Sequence, residues 1–166
     1  RPFWDLAPAD PPFAGTFDDA VDELERLLGT AVELRLRSDV PLGVFLSGGV
    51  DSSLVAALAA KASGHAVRTF SVGMDVDAVD ESDYARRVAA HLGTEHHAFR
   101  ARPDLLGTLP DMVAHFGEPF ADSSALPLWL LAEETRRHVT VALGGDGGDE
   151  AFGGYKWYGT AESLAR

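Results

Sequence analysis

The chain has 166 residues, contains no cysteine and carries a formal net charge of −12 at pH 7. This length suits one domain with its own core, and a hydrophobic content of 46% is typical of a globular protein. The acidic surface argues against nucleic acid and membranes as partners, and no apolar run approaches the roughly 20 residues of a membrane span. Without cysteine there is neither a disulfide scaffold nor a thiol nucleophile, and without a recognisable signal peptide we expect a cytoplasmic protein.

The predicted elements begin with an irregular lead-in or linker over residues 1–15, which is rich in proline and aromatic residues. A long helix is predicted over about residues 17–37, where Leu24, Leu28 and Val32 recur at helical spacing. Acidic residues at its start and arginines at its end match the helix dipole. We therefore expect the folded domain to open with a helix.

Short apolar segments alternate with helical segments in the rest of the chain. Strands are predicted over residues 43–46, 67–72, 96–99 and 139–143, and helices over residues 51–62, 82–92, 103–115 and 124–138. This alternation predicts an α/β domain, an open parallel sheet with helices on both faces. His96 and His97 fall next to each other on a predicted strand, so their side chains are expected on opposite faces and a shared metal is disfavoured.

The first of two glycine-rich loops, residues 47–53 (SGGVDSS), follows a predicted strand directly and opens a helix. Such a unit binds anions, because glycines let a ligand approach the backbone and the free N–H groups of the helix point at it. The Gly-Lys-Ser/Thr ending of a Walker A loop is absent. Asp51 would repel a phosphate unless a cation lies between them, and Mg²⁺ suits that position. The alternative is a turn that starts a helix, in which Asp51 only stabilises the helix N-terminus.

The second glycine-rich loop, residues 144–150 (GGDGGDE), follows the last predicted strand. Four glycines and three acids cannot pack a core, so this loop is suited to backbone contacts and cation binding. Loops at the carboxyl ends of parallel strands share one edge of the sheet, so Asp51, Asp146 and Asp149 are expected to converge on a metal–phosphate group. A flexible acidic turn or a calcium loop is the alternative, although the spacing does not match an EF-hand.

The motif in residues 47–53 resembles the pyrophosphate loop of the N-type ATP pyrophosphatases. Three further segments narrow the resemblance: residues 69–97 with TFSVG and HLGTEHH, residues 117–127 (GEPFADSSALP) and residues 143–155 (LGGDGGDEAFGGY). Together they resemble the synthetase domain of the glutamine-hydrolysing asparagine synthetases. The resemblance implies the adenine nucleotide alpha hydrolase-like fold. It also implies that residues 16–166 are the N-terminal part of such a domain, with the glutaminase domain and the C-terminal part outside this chain.

The resemblance implies a ligase that uses ATP and Mg²⁺ to convert aspartate into β-aspartyl-AMP and pyrophosphate, after which ammonia from glutamine displaces AMP to give asparagine. Asp51 and Asp149 would bind Mg²⁺ through pyrophosphate, and Asp146 would act in forming the adenylate, so these three are the expected catalytic residues. Its expected partners are small molecules and the glutaminase domain of a parent chain, and a homodimer is left open. The implied ATP and pyrophosphate contacts are Leu46, Ser47, Gly48, Gly49, Val50, Asp51, Ser52, Ser53, Val72, Gly144 and Gly145, with Leu46 and Val72 beside the adenosine.

Two residues depart from the family pattern. Gly144 stands where the family usually has Ser, and Asp146 stands where many members have Glu. A shorter acidic side chain can change the acyl substrate, so a relative acting on another carboxylic acid, such as a β-lactam synthetase-type enzyme, stays open. The chain also ends before the lysine that the family uses for the phosphates. On this ground we expect the chain alone to be inactive, or to bind nucleotide without turnover.

Two further groups of residues have competing interpretations. Ser124, together with its polar neighbours Asp122 and Ser123, either contacts substrate or caps the helix that follows. The aromatic residues after the second loop are interpreted as core and domain-packing side chains rather than as a platform for a base. This aromatic group consists of Phe152, Tyr155, Trp157 and Tyr158.

Overall fold

The computed structural model describes residues 12–74, 82–101, 105–118, 120–155 and 157–160. Within these ranges no helix combines the length and the apolar character that crossing a membrane requires. In chain order the elements are α1 (Phe17–Leu36), β1 (Leu42–Phe45), α2 (Val50–Ala62), β2 (Arg68–Met74), α3 (Ser82–Leu92), β3 (Glu95–Ala101), α4 (Leu105–Phe116), α5 (Ala125–Thr135), β4 (Val141–Leu143) and α6 (Gly148–Phe152).

The four strands form one parallel sheet in the order β3-β2-β1-β4. The chain therefore builds the sheet outward from β1 through β2 to β3, and then crosses back to add β4 on the other side of β1. The order of the strands switches between β1 and β4, and ligands of open α/β sheets bind at the carboxyl ends of strands at such a point. The predicted fold class, an open parallel sheet in an α/β domain, is confirmed.

Both faces of the sheet are covered by apolar side chains, as the prediction of helices on both faces requires. One core cluster joins Val44 and Leu46 to α1, α2 and α3, through side chains that include Val32, Ala56, Ala59, Ala85 and Ala89. The other cluster, on the opposite face, joins Phe70 to Leu131 of α5 and to Val139. Successive side chains of a strand point to opposite faces, so β1 contributes Val44 to the first cluster and Phe45 to the second, whereas Phe70 and Val72 of β2 belong to the second.

The first helix begins where its sequence provides a cap. Thr16 Oγ1 accepts a hydrogen bond from the N–H of Asp19 at 3.2 Å, and the Asp19 carboxylate accepts one from the N–H of Thr16 at 2.8 Å. This capping box satisfies two N–H groups that the helix leaves unpaired. The helix predicted over residues 17–37 is confirmed. Residues 12–16 contain neither helix nor strand, and the remainder of the predicted lead-in lies outside the described residues.

Several details differ from the sequence-based prediction. Strand β4 begins at Val141 and not at residue 139, and α5 ends at Thr135 and not near residue 138. Strands β2 and β3 are longer than predicted, because seven consecutive residues of each are paired in register. The second glycine loop is not irregular throughout, since α6 begins at Gly148. Ser124 precedes α5 without capping it; its N–H and Oγ both donate to Asp122 Oδ1 at 2.8 Å, so the capping alternative is wrong. Pro103, the predicted first residue of the helix over residues 103–115, lies outside the described residues.

The two adjacent histidines of β3 point to opposite faces, as predicted. His96 is hydrogen-bonded to Thr69 Oγ1 at 2.9 Å and to Ser71 Oγ at 3.2 Å. The ring of His97 instead stacks on Phe70, with ring centroids 5.1 Å apart, and lies against His138. Since the two imidazoles have different neighbours, they do not share a ligand.

Candidate functional site

The two glycine-rich loops leave the sheet side by side. Strands β1 and β4 are paired from Leu42 opposite Val141 to Val44 opposite Leu143. The first loop continues from β1 into α2, and the second continues from β4 into the short helix α6. Both loops therefore lie at the carboxyl edge of the sheet, at the point where the strand order switches.

The second loop packs directly on the first turn of α2. A Cβ placed on Gly148 would lie 2.5 Å from Asp51 Cγ and 2.7 and 3.0 Å from the two carboxylate oxygens. A Cβ placed on Gly145 would lie 2.8 Å from the backbone N of Ser52 and 3.0 Å from Asp51 Cβ. Real Cβ atoms do not approach other heavy atoms this closely, so the contact between the loops depends on glycine at both positions.

Helix α3 packs against the first loop from another direction. Gly48 has φ = +88°, a conformation that L-residues rarely adopt. A Cβ at this position would also lie 2.6 Å from Tyr84 Cβ and 2.6 Å from the backbone N of Ala85. The loop thus needs glycine at position 48 both for its backbone turn and for its contact with α3.

The hydroxyl groups of the first loop divide into two kinds. Ser47 Oγ and Ser52 Oγ are 2.9 Å apart, and Ser47 Oγ accepts a hydrogen bond from the N–H of Gly49 at 3.1 Å. The hydrogen bonds of Ser47 and Ser52 thus stabilise the conformation of the first loop. Ser53 Oγ is buried and finds no hydrogen-bond partner in the described part of the chain. A buried hydroxyl without a partner is costly, so Ser53 indicates a place for a polar group from outside the chain.

The N-terminus of α2 is open to a ligand. Gly49 is the N-cap residue and provides no side-chain cap, so the first N–H groups of the helix lack the partner that a serine or aspartate would supply. Val50, the first helical residue, directs its side chain to solvent and is 84% exposed. Exposed N–H groups at a helix start are the usual feature of a phosphate-binding site.

The carboxylates of Asp51, Asp146 and Asp149 each lie against a glycine. The Asp51 carboxylate lies against Gly148, the Asp146 carboxylate lies over Gly144, and the Asp149 carboxylate lies over Gly154. Among the residues that the structure describes, none of the three carboxylates has a hydrogen bond or an ion pair, and no group of three metal-ligating side chains is assembled. Convergence of all three acids on one cation therefore stays a prediction. Mg²⁺ commonly takes one or two carboxylates and completes its shell with water and phosphate oxygens, so the residues present fit this ion.

Glu150, the last acid of the loop, has a structural partner. Its carboxylate accepts a hydrogen bond from the hydroxyl of Tyr155 at 2.5 Å. This bond raises the pKa of Tyr155 to about 12 and lowers the pKa of Glu150. Tyr155 in turn stacks on Trp157, with ring centroids 4.1 Å apart. Glu150 is thus engaged in holding the segment that follows α6.

The aromatic group after the second loop is not part of the core. Phe152 and Trp157 are each 61% exposed, and Tyr158 is 40% exposed. The interpretation of these residues as core side chains is therefore wrong for the described part of the protein, and their packing against another domain stays a prediction. Phe152 is the last residue of α6, and the other three residues follow Gly153, which ends this helix in a left-handed conformation.

The side chains of the two residues assigned to the adenosine site point to opposite faces of the sheet. Leu46 is 1% exposed and belongs to the core cluster with α2 and α3. Val72 packs against the opposite cluster, with Phe70 and Leu131. Their role in binding adenosine stays a prediction, and for Leu46 it would depend on the backbone, because the side chain is enclosed. Grooves of about 400 Å³ between α1 and α2 and about 460 Å³ beside Arg68 are lined by residues outside the two glycine loops.

Comparison with known proteins relates this arrangement to a family. The family model described as Asparagine synthase matches residues 23–166. Asparagine synthetase [glutamine-hydrolyzing] 1 of Bacillus subtilis is 43% identical over 148 residues, covering 89% of this chain and 23% of that protein. The protein named Amidase chyE of Penicillium rubens is 32% identical over 173 residues, covering 93% of this chain and 26% of that protein. The chain thus spans about a quarter of the length of these relatives.

A solved structure supports the fold independently. The NH3-dependent NAD synthetase of Campylobacter jejuni superimposes with a TM-score of 0.54 at 18% identity, covering 81% of this chain and 60% of that one. At this identity the likeness concerns the fold alone, an α/β fold of the adenine nucleotide alpha hydrolase type. The two glycine loops at the switch point lie within the region that the family model matches. This chain therefore belongs to the asparagine synthase family.

Proposed function

We propose that this chain supplies the nucleotide-binding loops of a synthetase site that uses ATP to join a carboxylic acid to ammonia, with aspartate as the acid. The observation that carries the proposal is the packing of Gly145 and Gly148 on Asp51, which places both loops at the switch point of the sheet. Family membership supports ATP-dependent amide formation in general. Since the chain spans about a quarter of its relatives, the complete reaction is proposed for a longer protein that contains it.

The chemistry proceeds in two steps. A β-carboxylate oxygen of aspartate attacks the α-phosphorus of ATP, the bond from that phosphorus to the bridging oxygen breaks, and pyrophosphate leaves with the electron pair. Ammonia then attacks the acyl carbon of β-aspartyl-AMP, AMP leaves and a proton is lost, which gives asparagine. We propose that the ammonia comes from glutamine through a glutaminase domain, as the names of the relatives suggest.

The residues of the first loop would bind the pyrophosphate part of ATP. The open N–H groups at the start of α2 would donate to its oxygens, and the helix dipole would favour its negative charge. The unpartnered hydroxyl of Ser53 would donate to the same group. Ser47 and Ser52, which are already bonded to each other, would keep the loop in the conformation that exposes these donors.

The acids of the site would bind Mg²⁺ and the acyl substrate. Asp51 and Asp149 are the proposed ligands of Mg²⁺, which when bound would neutralise charge on the departing pyrophosphate. Gly144 and Gly145 would bring the backbone of the second loop close to the nucleotide. Asp146, whose side chain is exposed, would act where the carboxylic acid and the α-phosphate meet.

A second candidate is amide formation on another carboxylic acid. The observation that favours it is the pair Gly144 and Asp146, in which a shortened acidic side chain bends back over a glycine. This arrangement leaves more room in front of the loop than Ser and Glu would leave. The relative named as an amidase indicates that this region also occurs in proteins not named for asparagine.

Release of pyrophosphate from ATP and Mg²⁺ tests the proposal. We expect the longer protein to release pyrophosphate when aspartate is added, and we expect this chain alone not to do so, because neither glycine loop contains a basic residue. Glutamate and other amino acids serve as competing acids in the same assay. Release that depends on another acid but not on aspartate would favour the second candidate, and release independent of any acid would contradict both.

A further inference from the structure

We propose that Gly148 is a positioning residue for Asp51: the absence of a side chain at position 148 sets where the Asp51 carboxylate meets Mg²⁺. The inference rests on the proposed function, because it deepens the role of Asp51 in the same site. Gly148 has no role in the proposed contacts with ATP. Its contribution would act entirely through the aspartate that it touches.

The contact between Gly148 and Asp51 involves the whole carboxylate group. Both oxygens and the Cγ of Asp51 lie within 3.0 Å of the position that a Cβ on Gly148 would take. A side chain there would have to displace the whole carboxylate and not only one oxygen. In the described part of the chain the carboxylate has no hydrogen bond that would hold it elsewhere. The contact with Gly148 therefore limits where the carboxylate can lie.

Backbone conformation does not explain the glycine at this position. Gly147 and Gly153 have φ values of +89° and +69°, which favour glycine, whereas Gly148 has no positive φ. Gly148 is also the first residue of α6, a position that does not by itself require glycine. The close contact with Asp51 therefore provides the physical reason for glycine at position 148.

The consequence concerns metal affinity. Ligands to Mg²⁺ must lie close to octahedral positions about 2.1 Å from the ion, so a displaced carboxylate binds weakly or not at all. Loss of a residue that orients a metal ligand commonly lowers metal affinity about 10- to 100-fold. A side chain at position 148 should therefore reduce the part of ATP binding that depends on Mg²⁺.

Calorimetric titration of this chain with ATP, in excess Mg²⁺ and in EDTA, tests the inference with the variant Gly148→Ala. We expect ATP affinity in Mg²⁺ to fall by about tenfold or more, and affinity in EDTA to stay within about twofold of the wild type. Gly64→Ala is the matched control, because a Cβ there meets no atom within 4 Å and Gly64 lies between α2 and β2. It should match the wild type under both conditions.

A double-mutant cycle separates positioning from a general structural effect. In Asp51→Ala the carboxylate is absent, so adding Gly148→Ala should change ATP affinity no further. Thermal unfolding of all four proteins verifies that each is folded. If Gly148→Ala alone is unfolded, the double variant decides: a folded double variant shows that the Asp51 carboxylate is what position 148 must leave room for, and an unfolded one overturns the inference.

The outcomes distinguish this inference from the proposed function. A wild-type affinity for ATP that does not depend on Mg²⁺ would overturn the proposed function. Mg²⁺-dependent binding in the wild type that is unchanged in Gly148→Ala would overturn the positioning role alone. An equal loss in Mg²⁺ and in EDTA, or a further loss in the double variant, would also overturn it, since Gly148 would then act on the nucleotide directly.

Discussion

The carboxylate of Asp146 occupies the space that a side chain on Gly144 would fill. Gly144 and Asp146, the two residues interpreted from the sequence as departures from the family pattern, are therefore in contact and form one structural unit. A serine at position 144 would push the Asp146 side chain outward, and because that side chain is exposed and flexible, the displacement itself should cost little stability.

Gly144→Ser is accordingly expected to change substrate use more than stability. The free energy of unfolding should change by less than about 1 kcal/mol, since only the flexible end of Asp146 must move. In the longer protein the rate of aspartate-dependent pyrophosphate release, relative to release with glutamate, should change. Gly144→Ser with Asp146→Glu recreates the family pair, and Gly64→Ser is the control. An unchanged ratio in both site variants would show that this pair does not select the acid.

Asp51→Ala should weaken ATP binding chiefly when Mg²⁺ is present. The carboxylate is a proposed ligand of the ion, and without the ion it would only repel phosphate. We expect affinity in Mg²⁺ to fall at least about tenfold, with little change or a slight gain in EDTA. Asp39→Ala, which removes an exposed acid before β1, is the control for net charge. Equal ATP affinities for Asp51→Ala and the wild type in both buffers would exclude the metal role of Asp51.

Gly48→Ala should destabilise the protein by about 1–3 kcal/mol, because alanine is strained at φ = +88° and its Cβ would contact the backbone of Ala85. Gly29→Ala is the contrasting variant: it lies inside α1, and an added Cβ meets no atom within 4 Å. It should stabilise the helix by about 0.5–1 kcal/mol. Urea unfolding measures both values, and a Gly48→Ala variant as stable as the wild type would show that α3 and the loop separate easily.

The pH dependence of stability should report on His96. Burial lowers the pKa of this histidine, the positive charges of His97 and Arg86 lower it further, and the hydrogen bond with Thr69 opposes the shift. Its folded pKa lies below its ordinary value of 6.5, so between these two values the unfolded chain binds more protons than the folded one. The contribution of His96 is therefore fully present above pH 6.5 and is lost as the pH falls through the lowered pKa.

The measurement is the melting temperature between pH 7.5 and pH 5, for the wild type and for His96→Gln. Glutamine keeps a hydrogen-bonding side chain for Thr69 and Ser71 but does not titrate. The melting temperature of the wild type should fall more steeply with decreasing pH than that of the variant. Parallel curves would mean that protonation of His96 is not linked to folding.

The sequence by itself determined the elements and the two loops of this protein, because these depend on neighbours along the chain. Helix α1 follows from apolar residues at helical spacing, and the alternation of strands and helices predicts parallel pairing without knowledge of which strands are neighbours. The left-handed turns at Gly48 and Gly147 likewise occur where the sequence supplies glycine. The burial of a side chain depends on distant contacts, and the expectation that Trp157 is a core residue was wrong for this reason.

Only the tertiary structure decided how these parts act on one another. The position of β4 beside β1, and not beside β3, brings Gly148 to Asp51 although they are 97 positions apart in the chain. Strand order results from the packing of helices on both faces of the sheet, and no local pattern encodes it. For the same reason the sequence names Asp51 and Asp146 as candidate site residues, whereas the packed structure alone shows which glycine lies against each carboxylate.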